Sequence, residues 1–402
     1  IEQSPNKQAI DDYLNLRFVP GPETIFKGIK KLQPGYFLLK DKKRITIQQY
    51  WSFSMQPEEK SKEYFAKKIR EQLEQSVRMQ MTSDVPIGAF LSGGIDSSAV
   101  VAYMAKVSET PIHTYSVAFS ENERKREMKY ARLVAEKFQT EHKEIEVRID
   151  TFKLLPRIVW HMDEPFGDPA ALPTYLLAQE TKKYATVILT GDGPDEIFGG
   201  YEQFQFMNIF YDYNKFLPEI IGKKLVPKII ENMPKMLLNK YFKYSASLGT
   251  EGMKRFYSVI NALGNNAAMY YNLVSVFTEE EKKALFSDAG HIDLKKTQKD
   301  IAQHIGNCRT KEQLTNEMLY YDTKVTLPDD FLMKVDKTTM ANAIEARVPF
   351  LDHKMVELAA RIPGRYKMNL FQEKYILKMA MRDMLPKEII KRKKERFFVP
   401  ID

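Results

Sequence analysis

The chain has 402 residues, and its 61 Lys and Arg residues outnumber its 53 Asp and Glu residues by 61 − 53 = 8 charges. The 44% of hydrophobic and 28% of charged residues are typical of globular proteins and exclude disordered and fibrous classes, and the length predicts more than one domain. The mild positive charge suits an anionic small molecule such as a nucleotide, and the single cysteine, Cys308, excludes an internal disulfide and a multi-cysteine metal site.

The first 55 residues predict a short helix followed by a β-hairpin. The helix covers residues 10–16, and two apolar runs at residues 36–39 and 45–47 flank a charged turn. Because a lone hairpin is marginal in water, we expect it to complete a sheet whose other strands lie upstream of residue 1. The polar stretch at residues 55–62 is interpreted as a linker.

From residue 63 onward, the hydrophobic pattern predicts helices and strands in alternation. The predicted helices cover residues 63–79, 97–107, 127–138 and 152–161, and the predicted strands cover residues 87–91, 113–119, 142–147 and 185–189. Because parallel strands need crossover connections, this order predicts an α/β fold with a doubly wound parallel sheet and helices on both faces.

The second half of the chain is predicted to be mostly helical. Residues 202–290 are rich in aromatic residues and Met at helical spacing, and we expect a helical subdomain there. A stripe such as Phe204, Met207 and Phe210 indicates core packing rather than a cofactor site.

The sharpest local pattern is SGGIDSS at residues 92–98, between a predicted buried strand and an amphipathic helix. Adjacent glycines permit a tight turn, and the helix that follows directs its unpaired N–H groups and positive dipole end at the same point. This arrangement predicts a phosphate site, where Ser92, Ser97 and Ser98 add hydroxyl donors and Asp96 can hold a divalent cation. The spacing matches neither the P-loop nor the dinucleotide fingerprint. A capped turn without a ligand is the alternative.

A second pattern, GDGPDE at residues 191–196, follows another predicted strand. Its three carboxylates, on Asp192, Asp195 and Glu196, repel one another unless a cation or hydrogen-bond donors intervene. Open α/β sheets bind ligands at the carboxyl ends of their strands, so bound Mg²⁺ is the favoured interpretation. A solvated acidic turn before a helix is the alternative.

The loop at residues 92–98 resembles the pyrophosphate-binding loop of ATP pyrophosphatases, which cleave ATP to AMP and pyrophosphate. Three further stretches, at residues 163–169, 190–201 and 345–352, are similar to the glutamine-hydrolysing asparagine synthetases and their amidotransferase relatives. The resemblance runs over essentially the whole chain. It implies an adenine nucleotide α-hydrolase-like fold, ATP and Mg²⁺ as cofactors, and aspartate with ammonia from glutamine as substrates.

The resemblance also implies two half-reactions. The aspartate side-chain carboxylate attacks the α-phosphorus of ATP and releases pyrophosphate, and ammonia then displaces AMP from the acyl-adenylate to give asparagine. Activation is needed because a carboxylate oxygen is a poor leaving group at neutral pH, whereas AMP is a good one.

Roles of individual residues follow from the matching motifs. The resemblance implies that the β- and γ-phosphates are bound by Ser92, Gly93, Gly94, Ser97 and Ser98. It implies that the nucleoside pocket is formed by Leu91, Val117, Thr190 and Gly191, and that Mg²⁺ is held by Asp96 and Asp195. Plain strand core is a second interpretation of Leu91 and Val117, and both can hold at once.

The catalytic roles rest on the resemblance alone. Lys374 matches a lysine that neutralises charge on the α-phosphate, although a single helical lysine is more often solvated. Asp192 stands where some relatives have a glutamate that takes a proton from ammonia, but its side chain is one methylene shorter, so the identity of the base stays open. Glu345 and Arg347 form an internal ion pair or line the carboxylate site.

The resemblance divides the chain into the end of an N-terminal-nucleophile glutaminase domain, residues 1–55, and a synthetase domain, residues 56–402. The nucleophilic cysteine of such a domain is absent, and Cys308 is interpreted as a small buried hydrophobe. We therefore expect this chain to lack glutaminase activity and its parent to be longer at both ends. A homodimer is one expected assembly.

Several alternatives stay open. The same reaction could act on a cell-wall peptide or metabolite carboxylate, because residues 163–169 leave the substrate in doubt. Ring closure, as in β-lactam synthetases, is a second alternative. A non-catalytic nucleotide-binding module is a third. The basic segment at residues 387–396 is a solvated helix face, a cover over the triphosphate or, least favoured, an RNA contact.

No apolar run approaches the roughly 20 residues of a membrane helix, and no signal peptide is visible. We expect a cytoplasmic protein without nucleic-acid or membrane partners.

Overall fold

A five-stranded parallel sheet forms the centre of the molecule. The computed structural model describes residues 4–118, 121–147, 151–216, 257–286, 292–369 and 372–392. The strands of the sheet are β3 (Ile87–Phe90), β4 (His113–Ala118), β5 (Glu141–Glu146), β6 (Val187–Leu189) and β7 (Glu345–Arg347). Their spatial order is β5-β4-β3-β6-β7, and every neighbouring pair is parallel.

The strand order reverses between β3 and β6, which makes this pair the switch point of a doubly wound sheet. The prediction of the fold class is therefore confirmed, including its four predicted strands. The fifth strand, β7, was not predicted. Its sequence, Glu-Ala-Arg, has no apolar alternation, and only the backbone pairing with β6 defines it.

Helices connect the strands and cover the sheet. In the first half of the chain they are α1 (Lys7–Leu16), α2 (Lys62–Gln80), α3 (Ile95–Val107), α4 (Glu121–Phe138), α5 (Thr151–Met162), α6 (Ala171–Thr181), α7 (Pro194–Phe198) and α8 (Glu202–Phe216). Helix α6 was not predicted, because nearly every side chain along it is buried and the amphipathic period is lost.

The described residues of the second half are mostly helical, as predicted, with β7 and short turns between the helices. Its helices are α9 (Asn266–Val274), α10 (Glu279–Leu285), α11 (Lys296–Ile305), α12 (Lys311–Tyr321), a π-helix (Asp322–Leu332), α13 (Met333–Met340), a 3₁₀ turn (Pro349–Leu351), α14 (His353–Arg361), α15 (Gly364–Lys367), α16 (Tyr375–Met381) and α17 (Lys387–Lys391). Of the predicted helical subdomain at residues 202–290, residues 217–256 and 287–290 lie outside the described part.

Both faces of the sheet are buried. Ala89, Val187 and Leu189 point into a core shared with α2, α3 and the last helices, whereas Ile188 and Val117 belong to a core on the other face. Alternate residues of a strand point to opposite faces, so both layers need helices to cover them. This arrangement confirms the predicted helices on both faces.

The N-terminal helix α1 packs into the helical half of the molecule through buried charges. Asp11 on α1 forms a 2.9 Å ion pair with Lys282 of α10, and both side chains are fully buried. Asp12 accepts hydrogen bonds from Lys296 at 3.1 Å and Thr297 at 2.9 Å, both on α11. Since a buried charge is stable only when paired, these contacts fix α1 against α10 and α11.

The hairpin that follows has the predicted strands, β1 (Tyr36–Lys40) and β2 (Ile45–Gln49), in antiparallel register. Its apolar side chains are exposed on both faces, including Leu38 and Ile47 on one face and Leu39 on the other. None of the helices within the described ranges is both long and apolar enough to cross a bilayer.

Candidate active site

The turn after β3 is shaped by one glycine and two serines. Gly93 has φ +69°, and a Cβ atom there would lie 2.6 Å from backbone atoms of Tyr130 and Ala131, so only glycine fits. The Ser92 and Ser97 hydroxyls lie 2.9 Å apart, and the Gly94 N–H donates to Ser92 Oγ at 3.3 Å. The turn is therefore preformed, with the N-terminus of α3 at its open end.

Ser98 is placed differently from the other serines of the motif. Its side chain is fully buried, and its hydroxyl has no hydrogen-bond partner within the described residues. Its N–H group already donates to the Gly94 carbonyl at 3.0 Å, as part of α3. Its phosphate-binding role stays a prediction.

The turn after β6 lies against the start of α3. A Cβ atom on Gly191 would come within 2.4 Å of the Ser97 nitrogen, which shows how closely the two turns approach. Gly193 has φ +99° and begins α7, whose first turn carries Asp195. The two acidic and glycine-rich motifs, predicted separately, thus meet at the switch point of the sheet.

Lys374, which lies far along the chain, contacts an aspartate of each of these two turns. Its side chain is only 4% exposed, and its Nζ atom lies 2.5 Å from Asp96 Oδ2 and 2.9 Å from Asp195 Oδ1. Burial by itself lowers the pKa of Lys374, but attraction to Asp195 and Asp96 more than offsets this and raises it. The two carboxylates therefore favour the ammonium form of the side chain.

Two backbone features hold the lysine in place. Lys374 has φ +50°, a conformation that is costly for a residue with a side chain, and its N–H donates to the Gly199 carbonyl at 3.1 Å. A Cβ atom on Gly200 would lie 1.8 Å from Asp195 Oδ1 and 2.3 Å from Lys374 Cε. Glycine at position 200 is what leaves room for the ion pair.

The predicted nucleoside-pocket residues lie at the carboxyl ends of three neighbouring strands. Leu91 and Val117 are nearly fully buried, and the Leu91 N–H donates to the Tyr115 carbonyl at 2.9 Å. Thr190 is also buried, with its N–H donating to the Arg347 carbonyl at 2.9 Å. A residue that the sequence did not single out, Ser116, donates its hydroxyl to the Leu91 carbonyl and so fixes the start of the phosphate turn.

A second buried charge cluster lies beside Asp192. Lys334, at the start of α13, forms a 2.8 Å ion pair with Asp168, and the charge of Asp192 also acts on it. Asp330 is fully buried, and neither of its carboxylate oxygens has a hydrogen-bond partner within the described residues. Burial and the charge of Asp168 raise the pKa of Asp330 to about 7.

No role for this cluster follows from the sequence alone. Asp168 lies in the stretch 163–169, but a single lysine or aspartate has no sequence pattern that distinguishes a buried ion pair from a solvated side chain. Residues 163–169 are tied to the N-terminal segment, because the Gly167 N–H donates to the Arg17 carbonyl at 2.8 Å and Glu164 pairs with Lys31 at 2.6 Å.

The basic segment after Pro386 reaches the phosphate turn. Arg392 Nη1 donates to the Ser92 carbonyl at 3.1 Å, and its guanidinium group lies 4.3 Å from the ring centroid of Tyr130. This contact favours the cover among the three interpretations of residues 387–396. Residues 393–402 lie outside the described part.

Glu345 and Arg347 form an ion pair, which is one of the two interpretations left open by the sequence. Arg347 Nε lies 2.7 Å from Glu345 Oε1, and Arg347 Nη1 donates to the Gln80 and Thr82 carbonyls at 2.7 Å. Arg347 therefore ties β7 to the end of α2. Cys308 is half-buried, and burial raises the pKa of its thiol to about 11, which suits its interpretation as a packing residue.

The residues present fit Mg²⁺ as a partner of a nucleotide. No group of three or more His, Cys, Asp and Glu side chains that could hold a metal ion converges in the described ranges. Mg²⁺ is usually held by one or two carboxylates together with substrate phosphates and water. Asp96 and Asp195 supply two such carboxylates, on two turns that lie against each other at residues 92–98 and 191–196.

Comparisons with known proteins identify the family of the chain. The profile of the family described as asparagine synthase matches residues 68–402. Asparagine synthetase (glutamine-hydrolyzing) 1 of Bacillus subtilis is 34% identical over 398 residues, which cover 98% of this chain and 59% of that protein. A putative asparagine synthetase (glutamine-hydrolyzing) of Mycobacterium tuberculosis is 32% identical over 400 residues, covering 98% of this chain and 58% of that protein.

A more distant relative carries another name. Amidase chyE of Penicillium rubens is 24% identical over 415 residues, covering 94% of this chain and 59% of that protein. The chain thus spans 58–59% of the length of these three relatives.

Proposed function

Because the chain belongs to the asparagine synthase family, we propose that it provides the ATP-dependent half of an amidating ligase. ATP adenylates the side-chain carboxylate of aspartate with release of pyrophosphate, and ammonia derived from glutamine displaces AMP to give asparagine. The observation that supports this most is the meeting of Asp96, Asp195 and Lys374 beside the phosphate turn, at the switch point between β3 and β6.

The turn at residues 92–98 binds the pyrophosphate end of ATP in this proposal. The preformed loop and the N-terminus of α3 present N–H groups and a positive dipole end to the β- and γ-phosphates. Because these contacts favour the leaving pyrophosphate, bond cleavage occurs at the α-phosphorus. The carboxyl ends of β3, β4 and β6 receive the nucleoside through Leu91, Val117, Thr190 and Gly191.

Lys374 neutralises the charge that develops on the α-phosphate. A fixed ammonium in a buried site stabilises such charge strongly, because little solvent competes with it. Mg²⁺ held by Asp96 and Asp195 would supply further charge neutralisation to the phosphates.

Asp192 takes the proton that ammonia loses when it attacks the acyl-adenylate. It follows β6 on the same sheet edge, and its charge acts on Lys334 of α13. Its shorter side chain, compared with glutamate, requires the nucleophile to bind closer to the β6 turn.

The domain division is also a proposal. Residues 1–55 are the end of a glutaminase domain that delivers ammonia to the synthetase domain of residues 56–402. The relatives named glutamine-hydrolyzing are longer than this chain, which leaves room for such a domain.

The test is the identity of the nucleotide product. With aspartate, ammonium, Mg²⁺ and α-labelled ATP, we expect labelled AMP, pyrophosphate and asparagine in equal amounts. Asp96→Asn should lower turnover by about 100-fold or more, the order found when one charge-stabilising group is removed. ADP as the product would contradict the proposal.

A panel of acids separates the substrate from the chemistry. If aspartate gives no pyrophosphate but a peptide or metabolite carboxylate does, the same family chemistry acts on another acid. Nucleotide binding without AMP under any acid would instead favour a non-catalytic binding module.

A further inference from the structure

The ammonium of Lys374 lies where a cation shared by two carboxylates would lie. Its distances to Asp96 Oδ2 and Asp195 Oδ1 are 2.5 and 2.9 Å, so it bridges the two residues that the proposed function assigns to the metal. The carboxylates come from turns after different strands, β3 and β6, and the lysine is the group that joins them.

The space around this bridge is filled. A Cβ atom on Gly200 would lie 1.8 Å from the Asp195 carboxylate and 2.3 Å from the Lys374 side chain, so even a methyl group has no room there. Lys374 is 4% exposed, and Asp96 and Asp195 are 19% and 15% exposed. In so little solvent, a divalent cation and the ammonium repel each other strongly if both share this pair.

The backbone of Lys374 is held in place independently of its ammonium. The N–H of Lys374 is fixed by the Gly199 carbonyl at 3.1 Å, but the ammonium sits on a flexible four-carbon stem. A nucleotide phosphate bound at the turn of residues 92–98 is an alternative acceptor for it, because Asp96, which the ammonium already contacts, is part of that turn.

We propose that Lys374 is an internal substitute for the metal, which keeps divalent cations out of the Asp96–Asp195 pair until a nucleotide phosphate accepts its ammonium. This inference rests on the proposed function only in assigning the two aspartates to the metal. It predicts an order of binding: the metal enters with the nucleotide and not before it.

The test uses Mn²⁺ as the probe and nucleotide-free protein, followed by electron paramagnetic resonance. We expect the wild type to bind Mn²⁺ weakly, and Lys374→Met to bind one ion at least about tenfold more tightly, because the competing charge is gone. Lys374→Arg should remain as weak as the wild type. Adding Asp195→Asn to Lys374→Met should remove the gain.

Lys282→Met is the matched control. It also removes a buried lysine from an ion pair with an aspartate, but between α1 and α10. We expect its Mn²⁺ affinity to equal that of the wild type. An equal gain in this variant, or no gain in Lys374→Met, would overturn the inference.

A stability measurement covers the case in which Lys374→Met folds poorly. Millimolar Mn²⁺ should then raise the melting temperature of Lys374→Met and leave that of the wild type unchanged, because a ligand stabilises only the state that binds it. Equal shifts in both proteins would refute the substitution. The proposed function is tested by a separate measurement, the formation of AMP and pyrophosphate by the wild type.

Discussion

Buried lysines in this protein differ in what surrounds the ammonium. Lys282, Lys334 and Lys374 each contact an aspartate carboxylate at 2.5–2.9 Å. Lys367 is fully buried as well, but the polar atom found near its Nζ is Met55 Sδ, at 4.0 Å. Burial lowers the pKa of Lys367 to about 7, and the charge of Glu312 offsets this only in part.

Replacing Lys367 by Met should therefore stabilise the protein. The folded pKa, about 7, lies below the ordinary value of 10.5, so between these pH values the unfolded chain binds a proton that the folded chain does not. Stability of the wild type is then lost as the pH falls from about 10 to 7. We expect Lys367→Met to raise the free energy of unfolding at pH 7 by about 3 kcal/mol, measured by urea titration.

The pH dependence separates this cause from better packing. The advantage of Lys367→Met should shrink toward pH 10, whereas a packing effect is equal at both pH values. Lys282→Met should change stability in the opposite direction, because it leaves Asp11 buried without its partner.

Two glycines that both have a positive φ angle offer a second comparison. Gly93 and Gly28 have φ of +69° and +78°, but a Cβ atom would meet backbone of Tyr130 and Ala131 at 2.6 Å in the first and nothing within 4 Å in the second. We expect Gly28→Ala to cost about 1 kcal/mol in urea unfolding, and Gly93→Ala to cost at least about 2 kcal/mol more. Equal costs would show that the phosphate turn can shift away from α4.

At the scale of elements, the sequence predicted the strands and helices that carry a clear hydrophobic period. The apolar run before Leu91 and the alternation around Val117 identified β3 and β4, and their order identified the fold. β7 and α6 were missed because one is too short and polar and the other is apolar all round. Backbone pairing and burial define these two elements, and neither leaves a local pattern.

Only part of the candidate site could be predicted from the sequence. Glycines and carboxylates clustered at strand ends indicate a ligand site, so the turns at residues 92–98 and 191–196 could be predicted from the residues alone. The role of Lys374 could be predicted only from the family resemblance, because the residues next to it in the sequence do not indicate that its side chain contacts Asp96. Lys334 and Ser116 were missed, since their importance lies in contacts between distant segments.

The last described helix, α17, offers a test of the contact with the phosphate turn. Arg392→Ala removes both the hydrogen bond to the Ser92 carbonyl and the stacking on Tyr130. We expect the KM for ATP to rise about tenfold with little change in the KM for aspartate, because small displacements of a binding loop are costly. Lys391→Ala removes the same charge from a neighbouring exposed position and should change either KM less than about twofold. An equal effect of both variants would assign the loss to charge alone.

At the scale of the whole molecule, the buried sheet contrasts with the open hairpin of β1 and β2. Leu38 and Ile47 lie opposite each other and are 50% and 59% exposed, and Leu39 is exposed on the other face. Exposed apolar strands with free edges pair readily with other chains.

We expect this chain, expressed alone, to self-associate through the hairpin. Leu38→Lys together with Ile47→Lys should shift it toward the monomer in sedimentation velocity at micromolar concentration. Gln48→Lys adds a charge at an already polar position of β2 and serves as the control. Association that persists in the double variant would place the contact elsewhere.

The arrangement of Asp96, Asp195 and Lys374 along the chain has a consequence for biosynthesis. Lys374 leaves the ribosome 374 − 195 = 179 residues after Asp195, which at roughly 5–20 residues per second is about 9–36 seconds later. During this interval the nascent chain carries both carboxylates but not the lysine that bridges them. If β3, β4, β5 and β6 fold during synthesis, they bring Asp96 and Asp195 together without Lys374, and the C-terminal helices then supply the charge that balances them.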